Sequence, residues 1–425
     1  MKIGIQTWGS DGDIRPFAAL AGGLVAAGHQ VTLVYTSFDN KDYSALAGTM
    51  GFQIRRAHDH FDLSEVVLAK LTRGVMKERI PLRQLQIIMD EFYVPAIDEM
   101  YRASQRLCSE NDLVIGHWII HTLIAAAEKA PTPYISVMLN HGGIPSRFLT
   151  PIGLPNVGQW FNPIWWRLVN LIVNWGLKPY FEPLRKKEGL PLPADIMGEG
   201  WESKLLNLIA VSPTLCPRPP DWGEHHQICG FFNMPEQAEP WEVPGALRDF
   251  LGAGPTPIYL TFGSLMPILE QELRETLALM VEAVKQAGCR AIIQSSLAGA
   301  GDFCSNERIY HLSKVPHQRI FPLCAVIVHH GGAGTTQTAT RAGIPSIVVE
   351  HIVDQVLWGN ELQRRGIAPK VLHRRSLTPR KLAEAIRVVL ASSRMREQAV
   401  TIGAALDHED GVEKAILLIE KAMTR

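Results

Sequence analysis

The stretch VIVHHGGAGTTQTATRAGIPSIVVEH, from Val326 to His351, carries the strongest structural signal in the chain. Its β-branched apolar residues lead through two histidines into a run of small residues, and an apolar segment returns after Gly343 and Pro345. This order predicts a strand, a glycine loop, a helix beginning at Thr335 and a second strand. A helix that starts after such a loop offers N–H groups and a positive dipole end to an anion such as phosphate.

The residues around this loop support an anion site, although close packing alone also explains an isolated glycine turn. His330 ends the first strand and can donate a charge-assisted hydrogen bond to phosphate. His329 should point to the opposite face of the strand, which argues against a metal-binding pair. The loop has no P-loop lysine, so ATP hydrolysis is disfavoured, and the chain lacks the GxGxxG pattern of nicotinamide-dependent dehydrogenases.

Length and composition predict a two-domain globular protein. The chain has 425 residues, which exceeds one ordinary core. Lysine plus arginine and aspartate plus glutamate both number 42, so the net charge is zero and no basic surface for nucleic acid is indicated. Six cysteines without a CxxC pair are typical of free thiols in a reducing cytoplasm. The opening residues, KIGIQTW, predict a strand rather than a secretory signal.

Strand and helix patterns alternate in both halves of the chain, which predicts an α/β fold with two doubly wound, Rossmann-like parallel sheets. One helical stretch is expected from about Pro81 to Cys108, and the proline- and glycine-rich span from Cys216 to Pro257 should contain the linker. Ligands bind at the carboxyl ends of strands in open α/β sheets, so the two domains should face each other across a cleft. The expected limits are an N-terminal domain over 1–230, a linker over 231–245, a C-terminal domain over 246–405, and a final helix over 406–425 that packs back toward the N-terminal domain.

Several motifs together resemble those of the GT-B nucleotide-sugar glycosyltransferases of family 1. In the C-terminal half these are VPHQRIFP at Val315–Pro322, HHGGAGTT, AGIPSIVV, DQVLWGN at Asp354–Asn360, and RRGIAP. Near the N-terminus, GSDGDIRPFAALAGGLVAAGHQVTL is similar to the family's first motif. Within the family, HHGGAGTT and the Trp-Gly after Asp-Gln look most like sterol 3-beta-glucosyltransferases and related bacterial enzymes with lipophilic acceptors. The resemblance implies a GT-B fold and transfer of a hexose, in particular glucose, from a UDP-sugar.

The resemblance assigns donor-binding roles in the C-terminal half. Gly263 and Ser264 would contact the diphosphate from the side, and the backbone of Val315 would recognise the uracil edge. Asp354 and Gln355 would bind sugar hydroxyls, although Asp354 could instead cap the helix that follows it. The loop residues implied in diphosphate binding are His330, Gly332, Ala333, Gly334 and Thr335. Plant relatives have a ribose-binding glutamate where this chain has Thr338, so the choice between UDP and dTDP stays open.

Asp13 is the predicted catalytic base. It ends the GSDGD loop between the first strand and the first helix, and an inverting transferase needs a base to deprotonate the acceptor hydroxyl. Family members with a GSxGD loop use this aspartate, so the resemblance implies the same role here. The alternative is that Asp13 only caps a helix starting at Ile14, and the two roles are compatible. Asp11 departs from the family pattern, and it could raise the pKa of Asp13 by like charge or contact the acceptor.

The acceptor is less well defined by the sequence. The segment from Trp160 to Phe181 predicts an amphipathic helix, too interrupted by polar residues to span a membrane. Arg167, Asn170 and Asn174 share one face, and Trp165, Leu168, Val169, Ile172 and Trp175 lie opposite. These aromatic residues suit a flat apolar acceptor such as a sterol, or a peripheral contact with the membrane that carries it, although core packing is the alternative for many of them. The acceptor contacts predicted from the sequence are Asp11, His141, Trp160 and Trp165.

The sequence therefore predicts a cytoplasmic, metal-independent, inverting hexosyltransferase with UDP-glucose as co-substrate, no cofactor, and a hydrophobic acceptor such as a sterol. A glycosyltransferase for polyketides, macrolides or other hydrophobic natural products, using a UDP- or dTDP-sugar, is the principal alternative. A nucleotide-sugar epimerase and a non-catalytic binding protein for lipid or nucleotide sugar are further alternatives. His117 and His121, near predicted strand ends, are read as ordinary structural histidines.

Overall fold

The computed structural model describes the chain except for residues 65, 68, 69, 72, 73, 76, 77, 79, 236–240, 264–269, 300, 302, 314, 353 and 425 and the side chain of Asp354. Two compact units make up the chain, and each has its own parallel sheet. The first unit comprises residues 1–67, 78–238 and 409–425, and the second comprises 68–77 and 239–408.

The first unit is built on seven parallel strands in the order β3-β2-β1-β4-β5-β6-β7. The central strands are almost continuously buried, as expected for a parallel sheet covered by helices on both faces. The strands are β1 (Lys2–Gly9), β2 (Gln30–Ser37), β3 (Gln53–Arg56), β4 (Leu113–His117), β5 (Tyr134–Met138), β6 (Leu206–Ile209) and β7 (His226–Ile228). Strand β7 lies inside the span expected to contain the linker, and it joins the sheet by pairing with β6.

The second unit repeats this topology with six parallel strands in the order β10-β9-β8-β11-β12-β13. Its strands are β8 (Ile258–Thr261), β9 (Ala291–Gln294), β10 (Ile309–Leu312), β11 (Ile327–His329), β12 (Ser346–Glu350) and β13 (Leu372–His373). Two doubly wound α/β sheets were predicted from the alternating patterns, and this fold class is confirmed.

Most connections between the parallel strands contain a helix, and three helices follow the last strand. The helices are α1 (Asp11–Ala26), α2 (Ser44–Met50), α3 (Pro81–Ile88), α4 (Ile97–Glu110), α5 (His121–Lys129), α6 (Asn162–Glu188), α7 (Gly245–Gly252), α8 (Glu270–Ala287), α9 (His317–Ile320), α10 (Ala333–Arg341), α11 (Asp354–Arg364), α12 (Pro379–Ala391), α13 (Ser393–Asp407) and α14 (Gly411–Met423). The helical stretch expected from about Pro81 to Cys108 is present but interrupted, because α3 passes into a π-helical turn at Met89–Tyr93 and α4 starts anew. Pro95 lies at this break, where its ring and missing N–H disfavour a continuous helix.

The last helix, α14, belongs to the first unit and packs on α1. Val412 fills the space beside Gly23, where an added Cβ would lie 2.2 Å from the valine Cγ1. His29 Nε2 lies 3.1 Å from Glu420 Oε1. The chain thus closes the first unit with residues from both of its ends.

Candidate active site

The sequence-predicted loops lie at the point in each sheet where the strand order reverses. In the first unit the order turns back between β1 and β4, and in the second between β8 and β11. Asp13 follows β1 and His117 ends β4, whereas Gly263 follows β8 and His330 follows β11. Loops that diverge at such a reversal leave a crevice at the carboxyl ends of the strands, which is where open α/β sheets bind ligands.

The carboxylate of Asp13 is held against the turn that precedes α1. Its Oδ2 accepts a hydrogen bond from the backbone N–H of Ser10 at 2.9 Å and another from the Ser10 hydroxyl at 3.2 Å. The helix starts at Asp11, with Ser10 as N-cap, rather than at Ile14 as the sequence indicated. Asp13 is therefore the third helical residue and completes a capping box, so the capping role is present alongside any catalytic one.

Gly9 makes this arrangement possible. Its φ of 140° is unfavourable for residues with a side chain, and an added Cβ would lie 2.2 Å from Asp13 Oδ2. The strand can therefore end directly against the carboxylate only because this position has no side chain.

Burial raises the pKa of Asp13 from 3.8 to about 6, and the two hydrogen bonds from Ser10 oppose part of that rise. The expected contribution from the like charge of Asp11 is wrong, because Asp11 does not cause the shift. The Asp11 carboxylate instead forms an ion pair with Lys41 at 2.5 Å and accepts a hydrogen bond from the Tyr43 hydroxyl at 2.7 Å. Asp13 is thus a carboxyl group whose ionisation falls near neutral pH, as suits a general base.

The structure separates the three histidines of the N-terminal half. His117 Nε2 lies 3.9 Å from Asp13 Oδ1, and burial lowers the pKa of His117 to about 3, so its imidazole is neutral. His121 starts α5 and stacks between Tyr93 and Phe181, which indicates a packing role. His141 is buried in the loop after β5. Of the three, His117 is the one that lies beside the predicted base.

In the second unit, the loop after β11 presents the start of a helix. His329 Nδ1 accepts a hydrogen bond from the N–H of Gly331 at 3.1 Å, which fixes the turn from the inside. The helix α10 begins at Ala333, two residues before the predicted Thr335, and its N-cap is Gly332. No side chain among the described residues caps this end, so the first N–H groups are available to an anion.

His330 lies between two glycines. Added Cβ atoms would lie 2.8 Å from its Cε1 at Gly263, and 2.4 Å from its Nε2 at Gly332. Its Nδ1 is buried and has no hydrogen-bond partner within the described part of the chain. Burial, followed by the charge of His317, lowers the pKa of His330 to about 4. At pH 7 the buried ring is therefore neutral and offers an N–H donor, and the charge-assisted hydrogen bond to a phosphate stays a prediction.

A cluster of polar side chains that the sequence did not identify holds the backbone at Gly263. The carboxamide oxygen of Gln294 accepts hydrogen bonds from the hydroxyls of Thr261 at 2.9 Å and Tyr259 at 3.1 Å, and His317 Nε2 lies 3.1 Å from it. The Thr261 hydroxyl in turn accepts the N–H of Gly263 at 3.1 Å. Two features of the sequence could have pointed to this cluster: His317 belongs to the VPHQRIFP motif, and Gln294 ends a strand.

The structure describes some of the remaining residues predicted to bind the donor and not others. Gln355 is buried, and its side-chain oxygen accepts the N–H of His351 at 2.8 Å, which leaves its amide N–H₂ for a ligand. Val315 is buried next to the start of α9. Ser264 and the side chain of Asp354 lie outside the described residues.

The Trp-rich helix α6 leaves most of its apolar face exposed, so core packing, the alternative weighed from the sequence, does not account for these residues. Arg167 is exposed, but the two asparagines of the polar face contact the protein: Asn174 Oδ1 accepts the N–H of Ile196 at 2.8 Å, and its Nδ2 donates to Asn170 at 2.9 Å. Several large apolar residues are exposed, including Trp160 at 76% and Trp175 at 77%. We call this surface the apolar face of α6; its members are Trp160, Phe161, Ile164, Leu168, Leu171, Ile172 and Trp175. Trp165 lies at its margin, half-buried.

Comparison with known proteins finds relatives that are named as sugar transferases. Residues 291–409 match the family described as erythromycin biosynthesis protein CIII-like, C-terminal domain. The sterol 3-beta-glucosyltransferase UGT80A2 of Arabidopsis thaliana is 30% identical over 98% of this chain, which spans 64% of the length of that protein. The O-mycaminosyltylonolide 6-deoxyallosyltransferase of Streptomyces fradiae is 28% identical over 99% of this chain and 97% of its own length.

The fold is also shared with solved structures. The glycosyltransferase VinC, in complex with dTDP, superposes with a TM-score of 0.70 at 19% identity, and the alignment covers 100% of both chains. The two sheets, each with its loops at a reversal point, define a GT-B protein. The chain shares that fold and is similar to family-1 glycosyltransferases in its C-terminal unit and along its length.

Proposed function

We propose that the chain is an inverting glycosyltransferase that moves a hexose from a nucleotide-diphosphate sugar to a hydroxyl of a lipophilic acceptor. The observation that carries the proposal is Asp13, a carboxyl group at the reversal point of its sheet with a pKa of about 6. The relatives at 30% and 28% identity are both named as sugar transferases. We further propose glucose from UDP-glucose as the donor sugar and a sterol as the acceptor.

Asp13 would act on the acceptor. Its carboxylate takes the proton from the acceptor hydroxyl while that oxygen forms a bond to the anomeric carbon of the sugar. The bond from this carbon to the diphosphate breaks at the same time, and the nucleoside diphosphate leaves with the electron pair. One displacement of this kind inverts the anomeric centre and gives a β-glycoside from an α-linked donor.

The start of α10 and His330 would stabilise the leaving group. Negative charge grows on the diphosphate as the bond breaks, and the N–H groups and dipole of a helix N-terminus are already aimed at it. The buried Nδ1 of His330 supplies a further donor that has no competing partner in the described structure. A diphosphate would also raise the pKa of His330, so binding can draw a proton onto the ring. These groups could replace a metal ion, and we propose that transfer needs none.

The apolar face of α6 is the structural support for a lipophilic acceptor. Two exposed tryptophans, Trp160 just before α6 and Trp175 within it, lie beside five other exposed apolar residues. An apolar surface of this kind suits contact with a lipid surface from which the acceptor is taken. None of the described helices is long and apolar enough to cross a bilayer. We therefore propose a peripheral contact on the cytoplasmic side of a membrane, where the cysteines remain thiols; among the described residues they form no disulfide.

This contact can be tested with lipid vesicles containing sterol. Replacing Trp160 and Trp175 with serine should reduce co-sedimentation of the protein with the vesicles several-fold, because each indole contributes buried apolar area at the interface. Leu417→Ser is the matched control, since Leu417 is an exposed apolar residue of α14 outside the apolar face of α6. Equal sedimentation of all variants would refute the membrane contact.

A second acceptor and donor class has its own support. The Streptomyces relative that aligns over nearly its full length is named for a macrolide-type acceptor, and VinC was solved with dTDP. Thr338 supplies no carboxylate for a ribose hydroxyl, so this position does not favour UDP over dTDP. A polyketide or macrolide aglycone with a dTDP-sugar is therefore the alternative.

Assays with two donors and two acceptors distinguish the sterol proposal from the macrolide alternative. UDP-glucose and dTDP-glucose would each be incubated with a sterol or a macrolide aglycone, and products would be identified by mass spectrometry. A hexose added to the sterol from UDP-glucose supports the first proposal, and a hexose added to the macrolide from dTDP-glucose supports the second. If both nucleotides bind and no acceptor is modified with any pairing, the transferase proposal fails.

A further inference from the structure

Three potential metal ligands meet at the amino end of the sheet in the first unit. His226 is the first residue of β7 and His225 precedes it, while Glu202 comes shortly before β6. The two strands are parallel neighbours, and the N–H of Asn207 donates to the carbonyl of His225 at 2.7 Å, which holds their starting points together. The pairing thereby brings Glu202 within reach of both imidazoles.

The geometry of this cluster suits one shared ion. One ligand atom from each of Glu202, His225 and His226 lies within 4.8 Å of the others. His226 Nε2 is 2.9 Å from Glu202 Oε2, and the two imidazole rings are 4.1 Å apart between centroids. Ligand atoms around a tetrahedral zinc ion are roughly 3.3 Å apart, so a small opening of this cluster admits the ion.

The surroundings add an independent indication of a ligand. The side chains of His226 and Glu202 are only 8% and 11% exposed. His226 Nδ1 is also buried, and no hydrogen-bond partner for it is found in the described structure. Buried polar atoms are normally satisfied, but His226 keeps one ring nitrogen without a partner in the described structure while its Nε2 faces Glu202. His225 is more accessible and leaves a path for an ion from solvent.

The charges nearby are compatible with a cation. Arg218 directs its guanidinium at the carbonyl oxygens of His226, Trp222 and Gly223 at 2.9, 2.6 and 2.8 Å. These carbonyls offset its charge and hold it in a fixed position.

We propose that Glu202, His225 and His226 form a structural binding site for a divalent transition-metal ion such as Zn²⁺. Two imidazoles and one carboxylate are a donor set that zinc accepts, with water completing the coordination. The ion would fasten the segment before β6 to the start of β7. All amino ends of a parallel sheet lie at the edge opposite to its carboxyl ends, so this site is remote from the loop that carries Asp13. It revises the sequence-based prediction of no metal site, and its ion takes no part in sugar transfer.

Titration of the untagged chain with Co²⁺ or Zn²⁺ tests the site. The Cys304→Ser background removes an exposed thiol that would bind either metal. We expect one ion per chain, a higher melting temperature with Zn²⁺, and loss of both effects in His225→Ala and Glu202→Gln. His373→Ala is the matched control, because it removes an exposed histidine that pairs with Glu350 at 2.7 Å.

Metal uptake by the four proteins decides for or against the proposed site. Uptake of one ion by the parent and the His373 variant, but not by the other two, supports the site. No uptake by the parent, or equal uptake by all variants, overturns it. Circular dichroism confirms that each variant is folded, and the partly exposed His225 is chosen because its removal leaves no buried cavity. Sugar transfer measured after chelation should persist, so failure of this proposal and failure of the transferase proposal are distinguishable.

Discussion

Lowering the pH from 7 to 5 should slow sugar transfer about tenfold if Asp13 is the base. Only the ionised carboxylate can accept the proton of the acceptor hydroxyl, so kcat/KM should follow its ionised fraction. Burial raises the pKa of Asp13 to about 6. At that pKa about 90% of the carboxyl is ionised at pH 7 and about 9% at pH 5.

The size of this change distinguishes Asp13 from an ordinary aspartate. A carboxyl with the usual pKa of 3.8 is still about 94% ionised at pH 5, so a base of that kind would lose almost no activity over the same range. His117 cannot give the same profile, because burial lowers its pKa to about 3. A midpoint near pH 6 therefore points to a carboxyl with a raised pKa.

Initial rates of product formation at subsaturating acceptor, measured from pH 4.5 to 8.5, give the profile. Ser10→Ala supplies the control within the site, because the Ser10 hydroxyl lies 3.2 Å from Asp13 Oδ2 and lowers its pKa. Its loss should move the midpoint to higher pH, which a purely structural role for Asp13 would not do. A flat profile between pH 5 and 7, or an unmoved midpoint in Ser10→Ala, would refute the reasoning.

Three further predictions concern the same sites. Folding raises the pKa of Asp13, so the contribution of this carboxyl to the free energy of unfolding is full below pH 3.8 and is lost as the pH rises through about 6. The melting temperature of Asp13→Asn relative to wild type should therefore increase from pH 4 to pH 7.5. A constant difference would contradict this. His330→Ala should weaken binding of UDP or dTDP on the order of tenfold in calorimetry, because a hydrogen bond to a charged group is lost, and unchanged affinity would remove His330 from the donor site. Gly9→Ala should lower kcat strongly and leave nucleotide affinity intact, because its Cβ would lie 2.2 Å from Asp13 Oδ2; full activity would mean that the carboxylate position is unimportant.

Much of the fold could be predicted from the sequence because its determinants are local. Runs of β-branched residues ending in glycine loops, as from Val326 to Gly334, indicate both a strand and the loop at its carboxyl end. The positions of Asp13 and His330 at reversal points follow once the strands are ordered. The exact helix starts do not follow, because Ser10 and Gly332 act as N-caps four and three residues before the apparent onset of their patterns at Ile14 and Thr335.

Other features depend on contacts between distant residues and could not be predicted. The amphipathic pattern of α6 left acceptor contact, membrane contact and core packing open; the choice depends on Asn174, whose backbone partner is Ile196, and on the apolar residues that stay at the surface. The neutral state of His330 results from burial by its unit and from His317. The meeting of Glu202 with the histidines of β7 requires the pairing of β6 and β7.

Product analysis of a metal-free reaction tests the central claim most directly. Wild type and Asp13→Asn would be incubated with UDP-glucose, a sterol and a chelator, and products would be examined by mass spectrometry and by NMR of the anomeric proton. The account predicts a β-linked hexose on the acceptor with wild type, and a loss of at least a hundredfold in its rate of formation with the variant, as expected when a general base is removed. Transfer by the variant at the wild-type rate, or an α-linked product, would contradict it.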